Sequence, residues 1–233
     1  MYSFQSRIRY SEIDHKGSLT LPGLINYFQD CSTFQSEDIG LGMDVLKQKR
    51  KAWVLSYWQI KINKLPKLGE TVNTGTFATG FQGLYGYRDF VMKDLDGNDF
   101  AQAHSLWVYM DLEKGRPIRP KEEDILPYGM EPALDLPYEE RKIILPETTK
   151  ECEAFPVLKY QIDTNEHVNN CQYVQMAIEL LPKDMQIHQV RVEYKKSAVL
   201  GDIIYPKLAI EENRAVVLLC NELGKAYAVI EIK

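Results

Sequence analysis

The densest group of chemically useful side chains is the run Asp163-Thr164-Asn165-Glu166-His167-Val168-Asn169-Asn170. A carboxylate, an amide and an imidazole at alternating positions can move a proton, orient a polar group and stabilise a developing charge. The run lies between a strand-like and a helical pattern, and such junctions can bring several side chains round one point. The following helix presents unpaired backbone N–H groups and a partial positive charge in its first turn. Such a place can hold a carbonyl oxygen as it becomes an oxyanion. Turn and cap preferences offer a plainer account of the Asp and Asn residues, with Asn169 or Asn170 as the cap. A second acid, Glu193, falls in the alternating segment VRVEYKK (190–196). If Val192 and Tyr194 share one strand face, Glu193 shares the other with Arg191 and Lys195, where a solvated carboxylate is an equally good reading.

The elements that must position these groups follow from spacing. Leu21, Leu24, Ile25 and Phe28 recur at helical intervals, from Thr20 as N-cap to Gly40 as stop. Val174, Ala177, Ile178 and Leu181 repeat that interval, and Pro182 follows. After each helix the pattern predicts only strands, near 53–64, 70–80, 84–94 and 99–111, then near 188–196, 202–210, 214–221 and 225–232. Six of the eleven prolines and many charges crowd 113–149, which predicts a linker over the surface.

The two halves match in order. Tyr10, Ile13 and Asp14 correspond to Tyr160, Ile162 and Asp163, and WQIKINKLPKLGETV (58–72) corresponds to VRVEYKKSAVLGDII (190–204). Recurrence of weak similarities in the same order argues for duplication. Ungapped, Asn165 corresponds to Lys16, His167 to Ser18 and Glu193 to Lys61. The first half therefore builds the architecture without these groups, which shifts weight from a purely structural explanation of the cluster to a chemical one. One helix followed by about four antiparallel strands, twice, is an α+β plan in which each sheet curls round its own helix.

Composition narrows the rest. The net charge of −5 argues against nucleic acid as the main partner. The longest apolar run, Ala215–Cys220, is far below the roughly 18 residues of a membrane helix, and the N-terminus has no signal-peptide core. Cys31, Cys152, Cys171 and Cys220 are widely spaced, as expected of reduced thiols in the cytoplasm rather than of a metal site. No metal and no cofactor is expected.

The stretch D-x-N-x-H-V-N-N-x-x-Y (Asp163–Tyr173), E-Y-K-K (Glu193–Lys196) downstream, and KAWVLSYWQIKI (51–62) together resemble the signature of acyl-acyl-carrier-protein thioesterases of the bacterial type. The resemblance covers nearly the whole chain. It implies a tandem hotdog fold: an N-terminal hotdog (1–112) holding the acyl chain, the Pro-rich linker (113–149), and a catalytic C-terminal hotdog (150–233). It implies hydrolysis of fatty acyl thioesters by Asp163, Asn165, His167 and Glu193, with Asp163 as nucleophile or as base for water. Asn169 and Asn170 would line the substrate site. Leu24, Phe28, Trp53 and Trp58 would line the acyl tunnel, although each taken singly reads better as plain core packing. Plant relatives carry a cysteine after E-Y-x-x where this chain has Ala198, which removes a Cys–His–Asn mechanism at that position. Acyl carrier protein, small and acidic, would dock on Lys195, Lys196, Arg50 and Lys51, with Lys47 and Lys49 nearby. An acyl-CoA thioesterase, a dehydratase and a non-catalytic acyl-thioester-binding hotdog protein are the alternatives. A monomer and a homodimer both fit the sequence.

Overall fold

The computed structural model describes residues 1–183 and 185–233. Two compact units emerge from the contacts: Met1–Ser56 with Ile60–Tyr138, and Glu139–Lys233 with Tyr57–Gln59.

The first unit is built on helix α1 (Leu21–Asp38). The Thr20 hydroxyl accepts from the Gly23 N–H at 3.1 Å, satisfying an otherwise orphaned donor. Gly40 follows the C-terminus with φ +75°, where a side chain would be strained. The buried stripe Leu21, Leu24, Ile25, Phe28 and Cys31 packs against an antiparallel sheet. Its strands are β1 (Tyr2–Arg7), β2 (Lys51–Ile62), β3 (Thr71–Gln82), β4 (Tyr85–Lys93) and β5 (Asp99–Asp111), in the order β1-β3-β4-β5-β2. The Phe28 ring meets Phe90 of β4 at 5.3 Å.

Two elements differ from the sequence expectation. Helix α2 (Met43–Gln48) stands where only strands were expected. A long-range cap explains it: the Glu37 carboxylate of α1 accepts from the Met43 N–H at 2.8 Å. Strand β1 was also not foreseen. Its alternate residues Tyr2, Phe4 and Ser6 are half-buried, a weak period-two pattern that is stabilised by pairing with β3, as in Tyr2↔Thr76.

Residues 113–149 are not simply a surface linker. They contain β6 (Arg116–Pro117), α3 (Glu122–Ile125) and a 3-10 turn at Leu126–Tyr128, and they bury Tyr128, Leu136 and Ile143. Polar side chains on the sheets hold this segment by its backbone. In the first unit Asp89 accepts from the Leu134 N–H at 2.8 Å, and His104 bonds the Leu136 carbonyl at 3.2 Å. The proline-rich composition removes regular ladder pairing but leaves enough donors and acceptors for this anchoring.

The second unit repeats the plan. After β7 (Lys150–Glu151) and β8 (Phe155–Pro156) come α4 (Asn170–Ile178), β9 (Gln189–Tyr194), β10 (Ile203–Glu211), β11 (Arg214–Cys220) and β12 (Ala226–Ile232), with sheet order β9-β12-β11-β10-β7. Helix α4 packs on β11 and β12. It stops at Ile178, so Leu181 lies beyond it in i→i+3 turns ahead of Pro182.

Candidate active site

The residues before α4 form one tight turn. Asp163 accepts through Oδ1 from the Asn165 N–H at 2.8 Å and from the His167 N–H at 3.3 Å. Its own N–H donates to the His167 carbonyl at 2.8 Å, and Glu166 N–H donates to the Asp163 carbonyl at 3.1 Å. Glu166 closes the turn at φ +61°, an uncommon conformation for a residue with a Cβ. Ile162 bridges Val168 beneath it. Asn169 is the cap of α4, its side chain accepting from the Cys171 N–H at 3.0 Å. Asn165 and His167 are thereby held in one turn, both exposed, just ahead of the N-terminus of a helix.

The first unit contains the same turn. Asp14 Oδ1 accepts from the N–H groups of Lys16 and Ser18 at 2.8 and 3.0 Å. The Asp14 N–H donates to the Ser18 carbonyl at 2.8 Å, Ile13 bridges Leu19, and Gly17 takes the left-handed position at φ +73°. The match continues outward. Leu19 N–H donates to the Pro66 carbonyl at 2.8 Å, and Val168 N–H to the Ala198 carbonyl at 2.9 Å. The duplication inferred from sequence therefore extends to individual hydrogen bonds. Asn165 and His167 are what the second copy has and the first lacks.

Glu193 is not brought to this turn. The next residue, Tyr194, faces α4: its hydroxyl donates to the Asn170 carbonyl at 3.0 Å, and its ring meets Tyr173 at 5.8 Å. Strand pleating puts adjacent side chains on opposite faces, so Glu193 points away from α4. There its carboxylate accepts from the Ile143 N–H and pairs with Lys195, beside an apolar cluster of Ile143, Val216 and Val229.

The segment after β9, not β9 itself, returns to the turn. Ala198 is fully buried, and its N–H donates to the Tyr173 hydroxyl at 2.8 Å. Burial pushes the Tyr173 phenol up to about 12, so it stays protonated. Ser197, exposed beside Ala198, is the hydroxyl-bearing residue that this return places next to the His167–Val168 peptide. Sequence reasoning passed over it. In the alignment of 58–72 with 190–204 its counterpart is Leu65, so the hydroxyl belongs to the second copy alone.

The remaining expected residues are placed as follows. Asn170 is the first residue of α4, and Cys171, inside the helix, is buried. Leu24, Phe28 and Trp58 are fully buried in the core, and Trp53 is half-buried with its ring 4.7 Å from Tyr109. Arg50 pairs with Glu113 at 2.7 Å and Lys51 with Asp111 at 2.5 Å, which locally offsets their charges. Lys195 and Lys196 are exposed.

Two family models match the chain: the acyl-ACP thioesterase N-terminal domain over residues 1–128 and the acyl-ACP thioesterase C-terminal domain over residues 145–232. This chain is a member of the acyl-ACP thioesterase family. Among solved structures, a putative oleoyl thioesterase from Lactobacillus plantarum aligns with TM-score 0.89 and 26% identity, over 99% of this chain and 94% of the other. An acyl-ACP thioesterase from Bacteroides thetaiotaomicron aligns with TM-score 0.89 and 22% identity, over 99% and 96%. These likenesses establish the tandem hotdog fold. The chloroplastic oleoyl-acyl carrier protein thioesterase 1 of Arabidopsis thaliana is 21% identical over 84% of this chain, and the chloroplastic palmitoyl-acyl carrier protein thioesterase of Gossypium hirsutum is 24% identical over 91%. The chain spans 60% and 56% of the length of these two plant relatives. None of the helices among the described residues is long and apolar enough to cross a membrane.

Proposed function

We propose that this family member hydrolyses the thioester between a fatty acyl group and acyl carrier protein, releasing free fatty acid. The observation that carries the reading is the pair Asn165 and His167, added to a turn that the first unit builds without them. An amide donor and an imidazole at a helix N-terminus suit a carbonyl that must become an oxyanion and a water that must lose a proton. Asp163 stands behind both. Glu193 is left out of the reaction, because its carboxylate is engaged on the other face of the sheet.

The acyl chain is assigned to the first unit, along Leu24, Phe28, Trp53 and Trp58. The acidic carrier protein is assigned to the exposed Lys195 and Lys196, with Arg50 and Lys51 in a lesser part; Lys195, Arg50 and Lys51 each also have an acidic partner, in Glu193, Glu113 and Asp111. The four cysteines are free thiols, which suits a reducing cytoplasm.

The test is thiol release from carrier-protein thioesters of graded chain length, with coenzyme A thioesters alongside. Rapid release from carrier protein, and its loss in His167→Ala, supports the proposal. Preference for coenzyme A makes the chain an acyl-CoA hydrolase instead. Failure on both thioesters overturns the hydrolase reading.

A further inference from the structure

Building on the hydrolase reading, we propose that Asp163 is a positioning residue whose negative charge is dispensable, and that His167 removes the proton from the attacking water. The internal repeat provides the argument. Asp14 makes the same two acceptor bonds through Oδ1, 2.8 and 3.0 Å, in a unit where Lys16 and Ser18 replace the amide and the imidazole. Where that pair is missing the aspartate is still present, so the turn itself requires it.

The geometry of Asp163 agrees. Oδ1 holds the peptide N–H groups of Asn165 and His167, the two residues that must be kept in place. Bond formation by this carboxylate would withdraw charge from Oδ1 and weaken both bonds as the reaction starts. Those bonds also hold Glu166 at φ +61°, a conformation that persists only where surrounding structure enforces it. A carboxylate so engaged is suited to holding the turn rather than to attack.

His167 carries no such duty through its side chain, and it is exposed. In the proposed step a water proton passes to the imidazole and the water oxygen bonds to the thioester carbon. The carbonyl electron pair moves to oxygen, which takes a hydrogen bond from the Asn165 amide. Collapse of that oxyanion breaks the C–S bond, and the leaving thiolate takes the proton from the imidazolium. Water and thioester become acid and thiol, with no other reactant.

Asparagine keeps the Oδ1 acceptor and removes the charge, so it separates the two roles. Asp163→Asn is expected to keep kcat/KM within about tenfold of the wild type, with the acid limb of its pH profile unmoved, because that limb reports the free enzyme's base. Asp163→Ala is expected to lose activity and to lower the melting temperature, and Asp14→Ala to lower it similarly. Asp14→Asn should leave both properties unchanged. His167→Gln should lose about 10²–10⁴-fold, the usual contribution of a general base. If Asp163→Asn melts like the wild type but is as inactive as His167→Gln, the charge is needed and the proposal falls. Accumulation of an acyl-Asp163 anhydride in a single turnover also overturns it. A wild type inactive on both carrier-protein and coenzyme A thioesters instead sinks the hydrolase reading on which it rests.

Discussion

The pair His104–Asp89 allows a quantitative test of how the segment before Tyr138 is held. His104 Nδ1 lies 2.6 Å from Asp89 Oδ1, and its Nε2 lies 3.2 Å from the Leu136 carbonyl. A carboxylate and a carbonyl can only accept, so both contacts are satisfied together only when both ring nitrogens carry protons, which favours the imidazolium form of His104. Burial pulls its pKa down, but the Asp89 bond and charge and the Leu136 carbonyl outweigh burial, and the net direction is upward. A group whose pKa is raised on folding stabilises fully below its unfolded value, about 6.5, and loses that stabilisation as pH rises through the folded value. Deprotonation leaves one acceptor without a donor, which costs about 1–3 kcal/mol. His104→Ala leaves Asp89, only 2% exposed, without its cation. Breaking a buried pair in this way costs about 3–5 kcal/mol. Urea unfolding of wild type and variant at pH 6 and pH 9 should therefore show a gap of that size at pH 6 that narrows at pH 9. A gap that is constant or wider at the higher pH would refute the imidazolium assignment.

Other outcomes follow from the same geometry. Glu231 is buried and bonded to Arg191 at 2.7 Å and Arg214 at 2.5 Å, and although burial raises its pKa, these cations bring it below the usual range. Its contribution should be present above the unfolded carboxylate pKa and disappear on acidification, and Glu231→Ala should cost about 3–5 kcal/mol in denaturant unfolding near neutral pH. Glu166→Gly should raise stability by about 1 kcal/mol by relieving the φ +61° strain, whereas Gly17→Ala should lower it. Lys195→Glu with Lys196→Glu should raise KM for the carrier-protein thioester and leave the coenzyme A thioester little changed; equal effects on both would remove these residues from docking.

Much of the fold was legible because local signals and packing agree. Thr20, the Leu24–Phe28 spacing and Gly40 mark α1, and observed bounds fall within about two residues of expectation for most strands. The two halves could be aligned residue by residue, and the turn hydrogen bonds follow that alignment. What stayed hidden depends on distant partners: α2 on the carboxylate of Glu37, and β1 on pairing with β3. The site was half legible. Asp163, Asn165 and His167 are close in sequence and necessarily share a turn. Glu193 is thirty positions from Asp163, and the alternation of β9 already opposed it to Tyr194. Only the contact of Tyr194 with Asn170 shows which of the two faces meets the helix.

The outer side of the second sheet has a consequence for engineering. The Glu140 carbonyl accepts from Arg191, the Ile143 N–H donates to Glu193, and the Ile144 carbonyl accepts from Arg214. These peptide groups take the place that water would hold around charges in solution. A stretch of backbone that serves as the hydration shell of buried ions cannot be lengthened or nicked without letting water back in. Residues 139–144, which composition marks as disposable, should therefore tolerate insertion and proteolysis less well than the exposed turn at Asp94–Asn98.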